Sequence, residues 1–247
     1  MFRVLSRRRR RLSPAAGRIA LLSALLAVLP AAACTGPAAP VEVSAPAGPH
    51  ILDAPLGART GASLVVGDAA SQVDLRVADL PGLLYRISTP AGSGLAPQVT
   101  GVDGRVRLAL RPTGGDGPDT VRIVLNRTVS WDLRLPAGAG EQYLDLSRGR
   151  IRRLDVGASG LLELRLPRPR GVVPVTVTGP VATITVRAPS PVRVRLRGGA
   201  GSVTAPWAAR GAVPAGSVLA PAVWSTVPDR YALELRAPTT SLRLVTS

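Results

Sequence analysis

A chain of 247 residues with 31 arginines, no lysine, 15 acids, one histidine and one cysteine carries a formal charge of +16. A single histidine and a single cysteine leave a zinc site or a thiol-histidine pair without ligands, and no phosphate-binding glycine loop opens a helix. Aromatic residues make up only 3% of the chain, too few for stacking nucleic-acid bases. These counts argue against an enzyme, against a bound cofactor or metal, and against a nucleic-acid partner.

The first segment is an address. Arg7 to Arg11 and Arg18 precede an apolar run over residues 19–29, which is too short to span a bilayer and has the shape of a signal peptide. Ala31-Ala32-Ala33-Cys34 then places the only cysteine directly after a run of small residues. That is the pattern of a bacterial lipoprotein, in which the thiol of Cys34 takes a lipid and becomes a tether, although Ala31 stands where such boxes usually carry leucine. Plain cleavage after Ala33 is the simpler alternative. The expected division is a signal peptide over residues 1–33 and a lipidated Cys34 with a linker over 34–49. Ser6-Arg7-Arg8-Arg9-Arg10-Arg11-Leu12 fits either the general secretory or the twin-arginine route. Seven arginines and no acid precede Cys34, so the remainder is still basic by nine charges. A basic exported surface suits anionic headgroups or wall polymers. A coding bias that writes arginine at every solvated position would give the same figure.

Residues 35–49 are small and proline-rich with nothing to bury, an extended linker with a reach on the order of 40 Å at about 3 Å per residue. His50 opens the folded part at the linker boundary, where a solvated structural role is expected of it. Beyond it, Gln72-Val73-Asp74-Leu75-Arg76-Val77, Arg105-Val106-Arg107-Leu108-Ala109-Leu110 and Val121-Arg122-Ile123-Val124-Leu125 alternate as half-buried strands do. Gly101-Val102-Asp103-Gly104 and residues 112–119 are turns. The second of these superficially resembles a calcium loop, but its acids miss the alternate ligand positions and no glutamate closes it.

The second half repeats. Gly138, Gly157, Gly179 and Gly199 each lead into a short strand, and a further strand lies in each interval, at 150–156, 172–177 and 192–196. A small-residue corner followed by two strands every twenty or so residues predicts a β-solenoid whose coils stack on one another. Glycine suits corners where backbones approach closely. An evenly spaced β-sandwich is the alternative. Residues 205–227, which hold Trp207 and Trp224 among prolines and alanines, break the spacing and form an irregular cap or a loop.

Trp131-Asp132-Leu133-Arg134-Leu135-Pro136, Leu164-Arg165-Leu166-Pro167-Arg168-Pro169-Arg170-Gly171 and Gly198-Gly199-Ala200-Gly201-Ser202-Val203-Thr204 give the chain a resemblance to the putative-adhesin, or toast-rack, domains of bacterial envelope proteins, actinobacterial ones especially. The resemblance runs from Val65 to about Thr246. It implies an all-β fold, a right-handed single-stranded β-solenoid over residues 50–247, placed outside the cytoplasm and engaged in protein contacts or envelope-stress sensing. Its motifs are structural and carry no catalytic residue.

Two surface features are candidates for contact. Arg193, Arg195 and Arg197 alternate with apolar residues and share one face of a strand, with Arg165, Arg187, Arg168 and Arg170 expected on nearby coils. Such a face would bind phosphate-rich or carboxylate-rich polymers, or serve only as a solvated surface. Trp207 and Trp224 form either an aromatic anchor or a cover for the open end of the stack. The acids Asp74, Asp132, Asp145, Asp155 and Glu163 fall at outward positions beside arginines and are expected to pair with them. The functional expectation is a lipoprotein tethered to the outer face of the cell membrane, a non-enzymatic interaction or scaffold module of the envelope whose partner is an envelope protein. The alternative is an arginine-mediated binder of anionic wall or surface polymers.

Overall fold

A computed structural model describes residues 48–247; the expected signal peptide, Cys34 and most of the expected linker lie outside the described residues. The alternating stretches become strands. The chain opens with β1 (His50–Pro55), β2 (Gly61–Val66), β3 (Ala70–Ala78), β4 (Leu83–Thr89) and β5 (Leu95–Thr100). Next come β6 (Arg105–Pro112), β7 (Thr120–Asn126), β8 (Ser130–Leu135), β9 (Ala139–Asp145) and β10 (Arg150–Val156). β11 (Ser159–Arg165), β12 (Val172–Val177), β13 (Val181–Ala188), β14 (Val192–Leu196) and β15 (Ala200–Ala205) follow. The short β16 (Ala208–Arg210) and β17 (Ser217–Leu219) and a 3-10 turn at Ala222–Ser225 precede β18 (Arg230–Leu235) and β19 (Thr239–Thr246). Three strands expected from alternation, β10, β12 and β14, have the expected limits to the residue.

From β6 to β15 consecutive strands alternate between two mixed sheets, and β18 and β19 divide between them in the same way. One has the order β1-β4-β7-β3-β9-β11-β13-β19-β15-β16, the other β17-β14-β18-β12-β10-β8-β2-β6-β5. Seven strand pairs, β6/β7, β2/β3, β8/β9, β10/β11, β12/β13, β18/β19 and β14/β15, therefore occupy the same order in both sheets. Within these rows every pairing is parallel. At the ends of the rows the pairing turns antiparallel: β4, β5, β16 and β17 each lie against the outermost parallel strand, and β1 adds to β4. Antiparallel strands and loops thus stop the parallel stack, which would otherwise present open edges.

The all-β expectation holds, but a single-stranded solenoid with coils in chain order is not what is observed. The sheets are unclosed and sandwich-like, and two pairs sit out of sequence: β2/β3 lies between β6/β7 and β8/β9, while β18/β19 lies between β12/β13 and β14/β15. Residues 205–227 prove to be a cap. They supply β16 to the edge of one sheet and β17 to the edge of the other.

The core follows from register. Val106, Leu64, Leu133, Leu154, Val175, Leu233 and Val194 stand opposite one another across one sheet, and Ile123, Leu75, Leu144, Leu164, Val186 and Leu244 across the other. All are buried in one apolar cluster. Each position stacks like on like, so every side chain meets an apolar neighbour above and below. Gln142 interrupts one such row while fully buried, its amide donating to the Ala158 carbonyl at 3.4 Å. Asn126 is the other buried polar junction. It donates to the carbonyls of Leu80 and Leu83 at 2.8 and 2.7 Å, accepts from Thr128, and through its own carbonyl accepts the Trp131 indole N–H at 3.0 Å.

Tyr231 is wholly buried and donates its hydroxyl to the Pro167 carbonyl at 2.8 Å. Burial pushes its phenol far above the usual tyrosine range. Desolvation raises Tyr85 as well, and the hydrogen bond to Glu141 raises Tyr143. The neutral phenol is the form the fold favours, so its stabilisation is fully present below about pH 10 and is lost as pH rises through the folded values. In an alkaline titration, tyrosinate absorbance is expected to rise above pH 10 together with unfolding. A full step at the ordinary tyrosine pKa in a still-folded protein would contradict the burial of Tyr231.

Candidate interaction surfaces

The outward rows of the sheets alternate in charge. Arg134 lies 3.3 Å from Asp132 and 3.9 Å from Asp155, Arg153 lies 2.8 Å from Asp155, Arg122 lies 3.7 Å from Asp74, and Arg165 lies 3.9 Å from Asp145. Four of the five acids expected to pair with arginine do so. Exposed pairs of this kind contribute about 0–1 kcal/mol each and mainly set the surface charge pattern.

The arginines expected to share a face divide between the sheets. Arg165 and Arg187 are in-register neighbours on β11 and β13, whereas Arg193 and Arg195 lie on β14 in the other sheet, with Arg197 just beyond it. Arg197 is committed to Glu234 at 2.7 Å, and Arg195 stands opposite Glu234 in register. Arg193 lies over the Trp224 ring at 4.1 Å, and Arg230 lies over the same ring at 4.3 Å. Residues on separate strands of different sheets make no common patch, which alternation within a single strand could not reveal.

The tryptophans separate too. Trp224 donates its indole N–H to the Tyr231 carbonyl at 2.9 Å and fastens the cap to the stack. Trp207 instead lines an apolar groove of about 220 Å³ with Pro189, Pro191, Pro206, Pro221 and Val223. His50 begins β1 and pairs with Thr89. Among the described residues no group of three or more His, Cys, Asp or Glu side chains is placed to hold a metal.

A different basic cluster emerges where the first sheet hands the chain to the second. Arg150, Arg152, Arg168 and Arg170 line a cavity of about 180 Å³ with Ser130, Ile151, Val172 and Val173. Two local devices place them. Between Ile151 and Arg153 the register of β10 on β8 slips by one, so Arg152 is the extra residue of a bulge, and a bulge re-aims a side chain. In the connection that follows β11, Pro167 and Pro169 are buried and fix the backbone, so the intervening Arg168 and Arg170 are exposed. Among the described residues, none of these four guanidinium groups has a carboxylate within 4 Å. Arg150 and Arg152 escape a reading by alternation. Their signal is Arg152-Arg153, the consecutive arginines that break the period of β10.

No family model matches the chain, and no curated protein matches it. Among solved structures it is similar to a putative cell adhesion protein from Clostridium sporogenes ATCC 15579, with 16% identity and a TM-score of 0.62 over 81% of this chain and 99% of that one. A second, a putative adhesin from Bacteroides fragilis NCTC 9343, aligns at 10% identity over 80% of this chain and 97% of that one, with a TM-score of 0.26 that supports no argument. At 16% identity the likeness to the clostridial structure carries the fold: the chain is an all-β protein that shares the architecture of that structure along nearly its full length.

Proposed function

We propose that the chain is a non-enzymatic adhesion or interaction module, displayed on the outer face of the cell membrane and tethered there through a lipid on Cys34. The observation that carries this reading is the shared fold, since the structure that this chain matches over 99% of its length is described as a putative cell adhesion protein. The stacked strand pairs suit the role because each sheet offers an extended outward face, and the paired order of the sheets supports reading them as coils of a solenoid with displaced ends. The 34–49 linker would lift the folded part clear of the headgroups.

The anchor and the interaction are tested together in the producing cell. Wild-type protein is expected in the membrane fraction, labelled by a fatty-acid analogue, and Cys34→Ala is expected to release it unlabelled. Absence of label on the wild type would overturn the lipoprotein assignment. Capture from envelope extracts, repeated at high salt, is expected to retain a protein partner through apolar contacts that screening does not weaken. Failure to retain any envelope component at either ionic strength would remove the interaction reading.

A further inference from the structure

We infer that the four-arginine cavity is a binding site for a phosphodiester polymer. The proposal rests on the interaction-module reading and names the class of partner at one place on the molecule.

Arg150, Arg152, Arg168 and Arg170 are exposed and converge on the cavity from two directions, the start of β10 and the connection between β11 and β12. Like charges gathered without counter-charges repel, yet no carboxylate among the described residues comes within ion-pair distance of them. Asp229 is held against this connection, accepting from the Gly171 backbone N–H at 2.6 Å, but it lies outside ion-pair distance of the four guanidinium groups. Elsewhere on the surface, arginines such as Arg86, Arg134 and Arg153 have carboxylates beside them, whereas these four, gathered at one cavity, have none.

The chemistry of the fork selects the ligand. A guanidinium group presents paired N–H donors that match two oxygens of an oxyanion. Arg152 also donates to the Ala62 carbonyl at 3.5 Å; one phosphodiester offers two free oxygens, so the remaining donors of the cluster need several phosphates in a row. Forks arriving from two directions suit tetrahedral phosphate better than planar carboxylate. No aromatic side chain lines the cavity, so nothing there would stack on a base, and a polymer without bases is the fitting class.

The test uses the full chain carrying Cys34→Ala, with synthetic poly(glycerol phosphate) as probe and calorimetry as readout. Arg168→Gln with Arg170→Gln is expected to weaken binding by about tenfold or more and to flatten its salt dependence, because fewer counterions are released. Arg193→Gln with Arg195→Gln, on β14, is expected to change it by less than about twofold, with only the screened field of two charges outside the cavity lost. Unchanged thermal melts would show that both variants fold. Equal losses in the two variants would overturn the site in favour of diffuse charge. Equal affinity for polyglutamate would overturn the phosphate assignment, and equal affinity for orthophosphate or for phosphatidylglycerol vesicles would overturn the polymer. Absence of binding would overturn the proposal, while retention of an envelope protein in the capture experiment would leave the interaction module standing.

Discussion

Replacing Trp131 with alanine is expected to cost about 3–5 kcal/mol of stability, the largest loss for any single change considered. Trp131 is fully buried on β8, a central strand of its sheet. Removing the ring empties the space between strands that pack on both sides of it. It also removes the donor to the Asn126 carbonyl at 3.0 Å, and Asn126 holds the Leu80 and Leu83 carbonyls and Thr128 in place. Trp131→Phe separates the two losses: it keeps most of the volume and should cost about 0.5–1.5 kcal/mol, the range for one lost hydrogen bond, because the Asn126 carbonyl still accepts from the Val129 N–H at 3.4 Å. Denaturant melts in which Trp131→Ala shifts the midpoint no more than an exposed substitution would contradict the packing described for β8.

Gly157→Val is expected to destabilise by about 2–3 kcal/mol through overpacking. Gly157 does not need left-handed backbone. A side chain there would come inside contact distance of the Pro136 carbonyl oxygen and lie 2.8 Å from the Gly138 nitrogen and 2.9 Å from the Leu135 oxygen. Those atoms are backbone of the turn between β8 and β9, where the Gly138 N–H donates to the Leu135 carbonyl, so they cannot yield cheaply. Gly199 reaches a similar cost by another route, since its φ of +80° strains any branched residue. By contrast, Arg195→Glu should move stability by no more than about 0.5 kcal/mol. Arg193 lies between these limits, because its stacking on Trp224 adds about 0.5–1 kcal/mol. Silent glycine variants beside severe arginine ones would contradict the corner packing.

Much of the local structure was legible because alternation reports which side chains point inward. Residues 72–77, 105–110 and 121–125 lie within β3, β6 and β7, and the Gly101-Val102-Asp103-Gly104 turn joins β5 to β6. The close approach at the corner glycines was legible too. Stacking order was not, because a parallel ladder that sets Leu on Leu and Val on Val accepts any such strand pair as neighbour, and nothing in β18 or β19 marks them for an internal slot. Sequence patterns also say little about which arginines meet. Arg193 and Arg195 on β14 and Arg197 just beyond it end on Trp224, opposite Glu234 and in an ion pair with it, whereas Arg150, Arg152, Arg168 and Arg170 come together through a bulge and a proline-stiffened connection. Trp207 and Trp224 looked alike in sequence and have different tasks, one lining a groove and the other fastening the cap.

The out-of-sequence pair β18/β19 makes assembly depend on what is synthesised late. Until Arg230 has followed, β12 and β14 have no strand between them, and both present bare parallel edges of matching apolar register. Direct docking of β14 on β12 would satisfy those edges and then have to be undone. Closing the slot requires contacts between residues far apart in the chain, the kind that slows folding. The exposed edges are meanwhile open to a second chain. The domain is therefore committed kinetically only when its final strands arrive, and the interval before that is its window of greatest risk for self-association.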